Sequence, residues 1–536
     1  MRAAMSETRD TANATDDATT TLKPRAREQR RRAPSLIDVD LDPAQRGAVE
    51  LPRGRALLVL GEAGHGKTTV ALHRLAHLQR SFEGLAAPRI AVIVPTEGLT
   101  RLLQPLLRRL GLDVEAQTYG RWAAAQARRA LRGLPRRESE QAGPLVARLK
   151  RDPAVRVALE ELGRRSAGRI DDDVDAAPGP HRALVSRGDL QHLFGDRALL
   201  DAVARASGSI TSRAIDEVLE HTRIQFSRSA ETEWSHVTDR ERLVAIDGRA
   251  LDDATAASDA ATIDTEDYAV LFELDRIRAA SLARAAAAPR RYDVIALDEA
   301  QELAPLELAL IRRSLAPGGT FVVAGDVDQQ TDATTTFDGW GAAMRELGCS
   351  DHAVVELDVG YRCPAGIAQL ARRIRSSLAR ADTPPPRDAA RPGIEPALLR
   401  FASEKALTDW FGRAIASLRR RDPGASVAVV CRLPSTAQRI AAALRPAVPA
   451  RLVFDGRFVS RGPAQVTVVD EVKGLEFDFV LLPDATEAAY PDNPGARRAL
   501  YVALTRARHQ VLFAAATTPT PLLGGLIATP HPPVVG

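Results

Sequence analysis

The sequence predicts an α/β protein built on two parallel sheets, with a long helical insertion inside the first unit. Three observations predict it. The apolar run Ala56-Leu57-Leu58-Val59-Leu60 opens onto the glycine-rich stretch Gly61-Glu62-Ala63-Gly64-His65-Gly66-Lys67-Thr68-Thr69, followed by a helical pattern over 70–78. Short apolar runs alternate with helix-periodic segments on both sides of residues 121–289, as parallel strands joined by crossover helices require. Between those sides the chain is charged, Ala-rich and helix-periodic over a length at which a structureless loop is implausible.

At 536 residues the chain has room for about two to four domains with substantial cores. Its 73 basic residues nearly balance 69 acidic ones, for a net charge of +4. That surplus is weak evidence for a polyanionic partner, because such binding needs a basic groove and net charge does not report one. The preference for Arg and Ala over Lys and Ile reads as a coding bias that raises the pI without any function. The three cysteines, Cys349, Cys363 and Cys431, have no paired spacing among themselves or with His. Neither a zinc site nor a disulfide framework is expected, and a reducing cytoplasm fits. No apolar run approaches the roughly 20 residues of a membrane helix, and the polar N-terminus does not read as a signal peptide, so no membrane partner is expected.

Taken in order, residues 1–37 read as a disordered basic tail containing Lys23-Pro24-Arg25-Ala26-Arg27-Glu28-Gln29-Arg30-Arg31-Arg32, a solvated charge run. The first α/β unit is expected over 38–120 and 290–348, with strands before the glycine-rich loop and at 89–95, 114–119, 292–297 and 320–324. The helical insertion, 121–289, has helices expected at 123–134, 145–163, 196–206 and 268–288. A second α/β unit is expected over 349–518, with strands near 397–401, 426–431, 451–454, 465–469, 479–482 and 510–514. The Pro-rich stretch 383–387 reads as a surface loop, and 519–536 as an unstructured tail.

The glycine-rich loop fits the phosphate-binding pattern Gly, four residues, Gly-Lys-Thr. Glycines at 61, 64 and 66 let successive N–H groups turn inward onto phosphate oxygens, and the dipole of the following helix favours the same charge. Lys67 supplies a point charge toward the β- and γ-phosphates, and the Thr68 hydroxyl a ligand for Mg²⁺. The strand at 292–297 ends in Asp298-Glu299-Ala300-Gln301, where Asp298 suits Mg²⁺ through water and Glu299 suits orienting and deprotonating an attacking water. The strand at 320–324 ends in Gly325-Asp326-Val327-Asp328-Gln329-Gln330, beside the γ-phosphate. ATP with Mg²⁺ is the expected ligand. No second phosphate loop occurs, so the two units are expected to share one nucleotide.

Eight segments in order carry a family resemblance: Gln45; 61–69; Gln117-Thr118-Tyr119; 298–301; 325–330; Tyr361-Arg362; Val472-Lys473-Gly474-Leu475-Glu476-Phe477-Asp478; and Leu500-Tyr501-Val502-Ala503-Leu504-Thr505-Arg506-Ala507. The chain thereby resembles the UvrD, Rep and PcrA group of superfamily 1 helicases, which implies two RecA-like domains. The resemblance implies that Gln45 reads the adenine edge, Tyr361 stacks on the base and Glu476 holds the ribose. It also implies that Arg362 and Arg506 reach the γ-phosphate from the second unit and that Gln329 senses it. Thr69 falls within the nucleotide-binding set, and Thr96, Thr118, Tyr119, Trp122 and Trp340 are the implied nucleic-acid contacts. The implied activity is ATP-driven movement on single-stranded DNA, 3′ to 5′, in DNA repair or recombination.

Four departures stand beside this resemblance. Thr69 occupies the position after the loop threonine where the family usually has Arg. Asp470 stands where the family usually has a His near the DNA backbone, and Gln330-Thr331-Asp332 where it places a base-stacking aromatic. About 100 residues separate Arg362 from Val466, too few for the family's accessory domain. That absence, with Val70-Ala71-Leu72-His73-Arg74, also resembles the HelD proteins, helicase-like ATPases that displace RNA polymerase, although the residues before Gln45 do not read as that group's coiled-coil arm. The alternative partner is therefore RNA polymerase or another protein, docked through 121–289.

Overall fold

The computed structural model describes residues 22–25, 37–81, 89–139, 142–170, 184–227, 260–375, 387–388, 394–459, 461–526 and 528–530. The acidic runs at 171–173 and 252–253, most of the Pro-rich stretch and most of the N-terminal basic run lie outside them. The first sheet contains β1 (Ala56–Gly61), β2 (Ile90–Val94), β3 (Ala116–Thr118), β4 (Tyr292–Leu297), β5 (Leu315–Gly325) and β6 (His352–Leu357). All its pairs are parallel, in the order β3-β2-β4-β5-β1-β6. Helices α1 (Pro43–Val49), α2 (Lys67–Arg80), α3 (Glu97–Arg109) and α4 (Tyr119–Ala130) alternate with its early strands. Alternate strand residues face opposite sides, as a pleated strand dictates. Leu57 and Val59 join one apolar cluster with residues of α2 and α3, while Leu58 joins another.

That second cluster shows how the insertion is attached. Its helices are α5 (Pro144–Arg151), α6 (Val155–Ile170), α7 (Arg187–Phe194), α8 (Arg197–Ser207), α9 (Ser212–Gln225) and α10 (Thr265–Ser281). Leu149, Leu159, Phe194, Leu200 and Val218 from these helices share one core with Ile93, Ile295 and Phe321 of the sheet. The described part of the insertion therefore shares one core with a face of the first sheet, its α10 packing on α4. The helix expected over 145–163 is two helices, broken where Asp152 adopts an extended ψ of 130° before Pro153. Within the layer, Lys150 Nζ lies 2.6 Å from Asp264 Oδ2 and 2.7 Å from Asp267 Oδ1, and His221 Nε2 lies 2.9 Å from the same Asp264 oxygen. This buried set ties α5, α9 and α10 together. The chain then returns through α11 (Pro305–Arg313) and α12 (Trp340–Glu346).

After the two-residue pair β7 (Val359–Gly360) and β8 (Arg387–Asp388), the second sheet comprises β9 (Ala397–Arg400), β10 (Val427–Cys431), β11 (Ala450–Leu452), β12 (Ala464–Val468), β13 (Phe477–Leu482), β14 (Ala507–Ala515) and β15 (Ala528–Pro530). Its order is β11-β12-β10-β13-β14-β9-β15, again parallel throughout. It is layered by α13 (Ala365–Arg375), α14 (Glu404–Arg421), α15 (Pro434–Leu444) and α16 (Pro494–Leu504), with one apolar cluster on each face. The chain thus has two RecA-like α/β units.

Three expectations need correction. The first sheet does not end before 349, because β6 pairs with β1 over residues 352–357. Its residues are mostly half-buried or exposed, so this edge strand lacks the continuous apolar run that marks the others. Residues 519–536 are not wholly unstructured: Leu522 and Leu523 are buried, and β15 extends the second sheet. Nor is the N-terminal tail wholly free. Leu22 is fully buried in the second unit, and Arg25 Nε and Nη1 lie 2.8 Å and 2.9 Å from Asp422 and Asp478. A single leucine in a polar run carries no periodicity, which is why its docking was not legible.

Candidate active site

The phosphate loop leaves β1 at Gly61 and enters α2 at Lys67, with Gly66 in the left-handed region at φ 90° as its N-cap. Two glycines are needed for space as well as for backbone angle. A Cβ on Gly64, φ 87°, would stand 2.5 Å from Arg362 Cβ, and one on Gly66 2.6 Å from Gln45 Nε2. Lys67 Nζ folds back onto the loop, donating to Gly61 O at 2.8 Å and Glu62 O at 3.2 Å. Thr69 is buried in the first turn of α2.

Strands β4 and β5 bring the acidic side chains to the same edge. Thr68 Oγ1 donates to Asp298 Oδ2 at 2.8 Å. Burial, followed by the neighbouring Glu299 charge, pushes the Asp298 carboxyl up to about 6. A hydroxyl beside a carboxylate is an all-oxygen donor set of the kind Mg²⁺ takes, and an anion raised this way is one that a cation would restore. Glu299 has φ 53° and ψ 45°, an unfavourable region for a residue with a Cβ, and it accepts a 2.7 Å hydrogen bond from Gln301 Nε2. The turn holds Glu299 at the end of β4 and fixes its carboxylate from the side.

The second unit closes the site. Arg506 is buried and donates from Nη2 to Gln329 Oε1 at 2.7 Å, and Gln329 Nε2 donates to Asp326 Oδ2 at 2.9 Å. Burial, then the nearby Arg362 charge, lowers the Arg506 guanidinium to about 10. Such a site favours the arrival of compensating negative charge. Arg362 lies 2.7 Å from Glu476 through Nε, so the implied γ-phosphate and ribose residues meet as an ion pair. Tyr361, 42% exposed, donates to Asp42 Oδ2 at 2.8 Å, and Asp42 caps α1 together with Gln45. Gln45 Nε2 in turn donates to His65 O at 3.1 Å. Gln45, Tyr361 and the phosphate loop therefore form one wall.

Sequence reasoning assigned no role to two other cross-unit contacts. Tyr501 Oη accepts from Ala63 N and donates to Asp326 Oδ2, both at 3.2 Å. Arg375, at the end of α13, pairs with Glu62 of the loop and, at 2.9 Å, with Asp328. Tyr501 lies inside a quoted motif and was findable there. Arg375 lies in no motif, and its partners are visible only in three dimensions.

The implied nucleic-acid residues do not form one surface. Thr96 and Thr118 cap α3 and α4 at the ends of β2 and β3, accepting from Leu99 N and Arg121 N. Trp122 is 1% exposed and Tyr119 is also buried, both in the core shared with the insertion, so neither presents a ring face to a base. Their apolar bulk lies on the face of α4 that packs inward. Trp340 packs edge-on to Phe337 at 4.8 Å and covers Gly325, where a Cβ would meet its Cη2 at 2.1 Å. Close to Thr118, however, Gln117, Arg121, Arg128, Arg136 and Glu138 line an open cleft of about 460 Å³. Arg121 pairs with Glu115 at 3.1 Å, and Glu138 accepts from Tyr268 Oη at 3.0 Å.

Residues 45–335 match the AAA domain family, and residues 463–514 match the UvrD-like helicase C-terminal domain family. No curated protein matches the chain. Among solved structures, the crystal structure of the C-terminal domain of a possible DNA helicase from Lactobacillus plantarum WCFS1 is similar at 20% identity, covering 32% of this chain and 99% of that one with a TM-score of 0.27. Among the described residues no helix is long and apolar enough to cross a membrane.

Proposed function

The chain belongs to the UvrD-like helicases, and from that premise we propose that it hydrolyses ATP between its two RecA-like units to move along single-stranded DNA, 3′ to 5′, in DNA repair or recombination in the cytoplasm. The observation that carries the reading is the meeting of Lys67, Thr68, Asp298, Glu299 and Gln329 from one sheet with Arg506 from the other. Lys67 and the loop N–H groups hold the phosphates, and Thr68 with Asp298 would hold Mg²⁺, which would supply positive charge against that of the phosphates. Glu299 accepts the proton of the attacking water. Arg506 and Arg362 stabilise charge developing on the transferred phosphoryl group, and Gln329 reports its presence to Arg506. Gln45 and Tyr361 bind the base, Glu476 the ribose, and Thr69 lies beneath the loop.

Three arginines in the cleft beside Thr118 support a nucleic-acid track along α4, with Thr96 and Thr118, the caps at the ends of β2 and β3, as further contacts implied by the resemblance. The test is ATPase activity with and without single-stranded DNA, alongside Glu299→Gln. Stimulation by DNA, and its abolition in the variant, supports the reading. Unstimulated turnover together with no salt-sensitive DNA binding overturns it.

One observation favours a second reading, in which the chain remodels RNA polymerase or another protein through 121–289. Thr331, in the segment where the family places a base-stacking aromatic, donates to Asp470, which stands where the family usually has a His near the DNA backbone. A protein partner that stays bound after nuclease treatment, with no unwinding of tailed duplexes, would favour it.

A further inference from the structure

Glu302 follows the Asp298–Gln301 segment by one residue and is 7% exposed. Its Oε1 accepts from Thr331 N at 3.0 Å, and its Oε2 accepts from Asp332 N at 3.2 Å. Those amides begin the turn that leaves Gln329 and Gln330. The same Oε1 lies 3.0 Å from Lys473 Nζ, a buried cation of the second unit. Lys473 also lies 3.2 Å from Asp470 Oδ1, which accepts from Thr331 Oγ1 at 2.6 Å. The backbone carbonyl of Glu302 accepts from Arg151 Nη2, at the end of α5, at 2.7 Å. Arg151 further reaches Glu307 at 3.1 Å, Thr334 Oγ1 at 2.7 Å, and Asp332.

One residue thus touches three bodies: the segment carrying Glu299 and the turn after Gln329, the second unit through Lys473, and the insertion through Arg151. A buried carboxylate with two amide donors and one ammonium has discrete good geometries rather than a continuum, so a shift of the 326–332 turn must be followed by its partners or break the set. We propose that Glu302 is a positioning residue that transmits the nucleotide state of the Gln329 turn to the second unit through Lys473 and to the insertion through Arg151. The assignment rests on the ATP reading above, and it applies whether the load is DNA or protein.

The test is amide hydrogen exchange on the full chain, with and without Mg²⁺ and a non-hydrolysable ATP analogue. In the wild type, nucleotide slows exchange at 61–69, 326–334, 470–474 and 144–151 together. Lys473→Met removes the slowing at 470–474, by about tenfold in rate as expected for a coupling free energy, and keeps it at 61–69. Lys473→Arg preserves it, and Arg151→Met removes the response at 144–151 alone. In steady-state turnover normalised to the fraction of chain that binds the ATP analogue, which removes the loss that unfolding alone would give, Lys473→Met lowers kcat with little change in KM for ATP. If Lys473→Met folds poorly, E302Q/K473M removes both buried charges and gives the same pattern. Undiminished slowing at 470–474 in either variant overturns the coupling alone. Absence of slowing at 61–69 in the wild type overturns the ATP reading and the coupling with it.

Discussion

Arg506 Nη2 donates to Gln329 Oε1 at 2.7 Å, joining the end of α16 to the turn after β5 across the gap between the sheets. Arg506 also donates from Nε to Val502 O, so its guanidinium is held from both ends. Substituting it by Lys keeps the charge and loses the planar fork that makes these contacts. Arg506→Lys is expected to lower kcat for ATP by about 10³-fold or more while a fluorescent ATP analogue still binds. Gln329→Ala is expected to lower kcat less, because the arginine remains. Rapid-quench turnover and equilibrium binding on each variant check both.

Asp298 gives a pH dependence with a defined sign. Its carboxyl is raised from 3.8 to about 6, so the folded chain holds the proton more tightly than the unfolded one. The stability from this proton is full below about pH 4 and is lost as pH rises through about 6. Asp298→Asn is expected to abolish that loss, so the variant gains on the wild type between pH 4 and pH 7 in urea denaturation without nucleotide. Because Mg²⁺ needs the ionised carboxylate, stabilisation of the wild type by Mg²⁺-ADP is expected to be larger at pH 7.5 than at pH 5.5.

The cleft and the buried tryptophan separate binding from packing. Arg128→Ala with Arg136→Ala is expected to lower the slope of log affinity against log salt for single-stranded DNA by up to about 1.4, or about 0.7 per lost phosphate contact. Trp122→Phe is expected to leave that affinity unchanged and to lower the thermal midpoint, since Trp122 fills the core beneath α4. Fluorescence anisotropy across a salt series, with thermal melts alongside, reads both.

Leu22 docks a short strap onto the second unit. Its side chain enters the cluster with Trp410, Phe411 and Leu512, and Arg25 closes the contact on Asp422. Leu22→Ala is expected to cost about 2 kcal/mol, at the low end for a buried leucine because the strap can release instead of leaving a cavity. Urea unfolding followed by Trp fluorescence measures it.

Much of the candidate site's pattern was legible because phosphate chemistry imposes local spacing. Gly64, Gly66, Lys67 and Thr68 match what the approach of a backbone to oxyanions asks for, and Asp298 and Glu299 end an apolar strand. The nucleic-acid assignments were less legible, because an aromatic on a helix reads the same whether it stacks on a base or fills a core. Trp122 shares its core with the insertion, whose packing against α4 has no signature in spacing. Edge strand β6 and the strap at Leu22 were missed for a related reason: each gets its burial from a distant neighbour.

By itself, then, the sequence determined the two parallel units, the loop at 61–69 and the acidic pair at 298 and 299, since strand periodicity and phosphate geometry act over a few residues. Only the tertiary structure decided that Thr331 meets Asp470, that Glu302 meets Lys473 and Arg151, and that Arg375 reaches Glu62. Those contacts span 139 to 313 residues of chain. Each exists because packing the two sheets and the insertion desolvates charges that must then find partners.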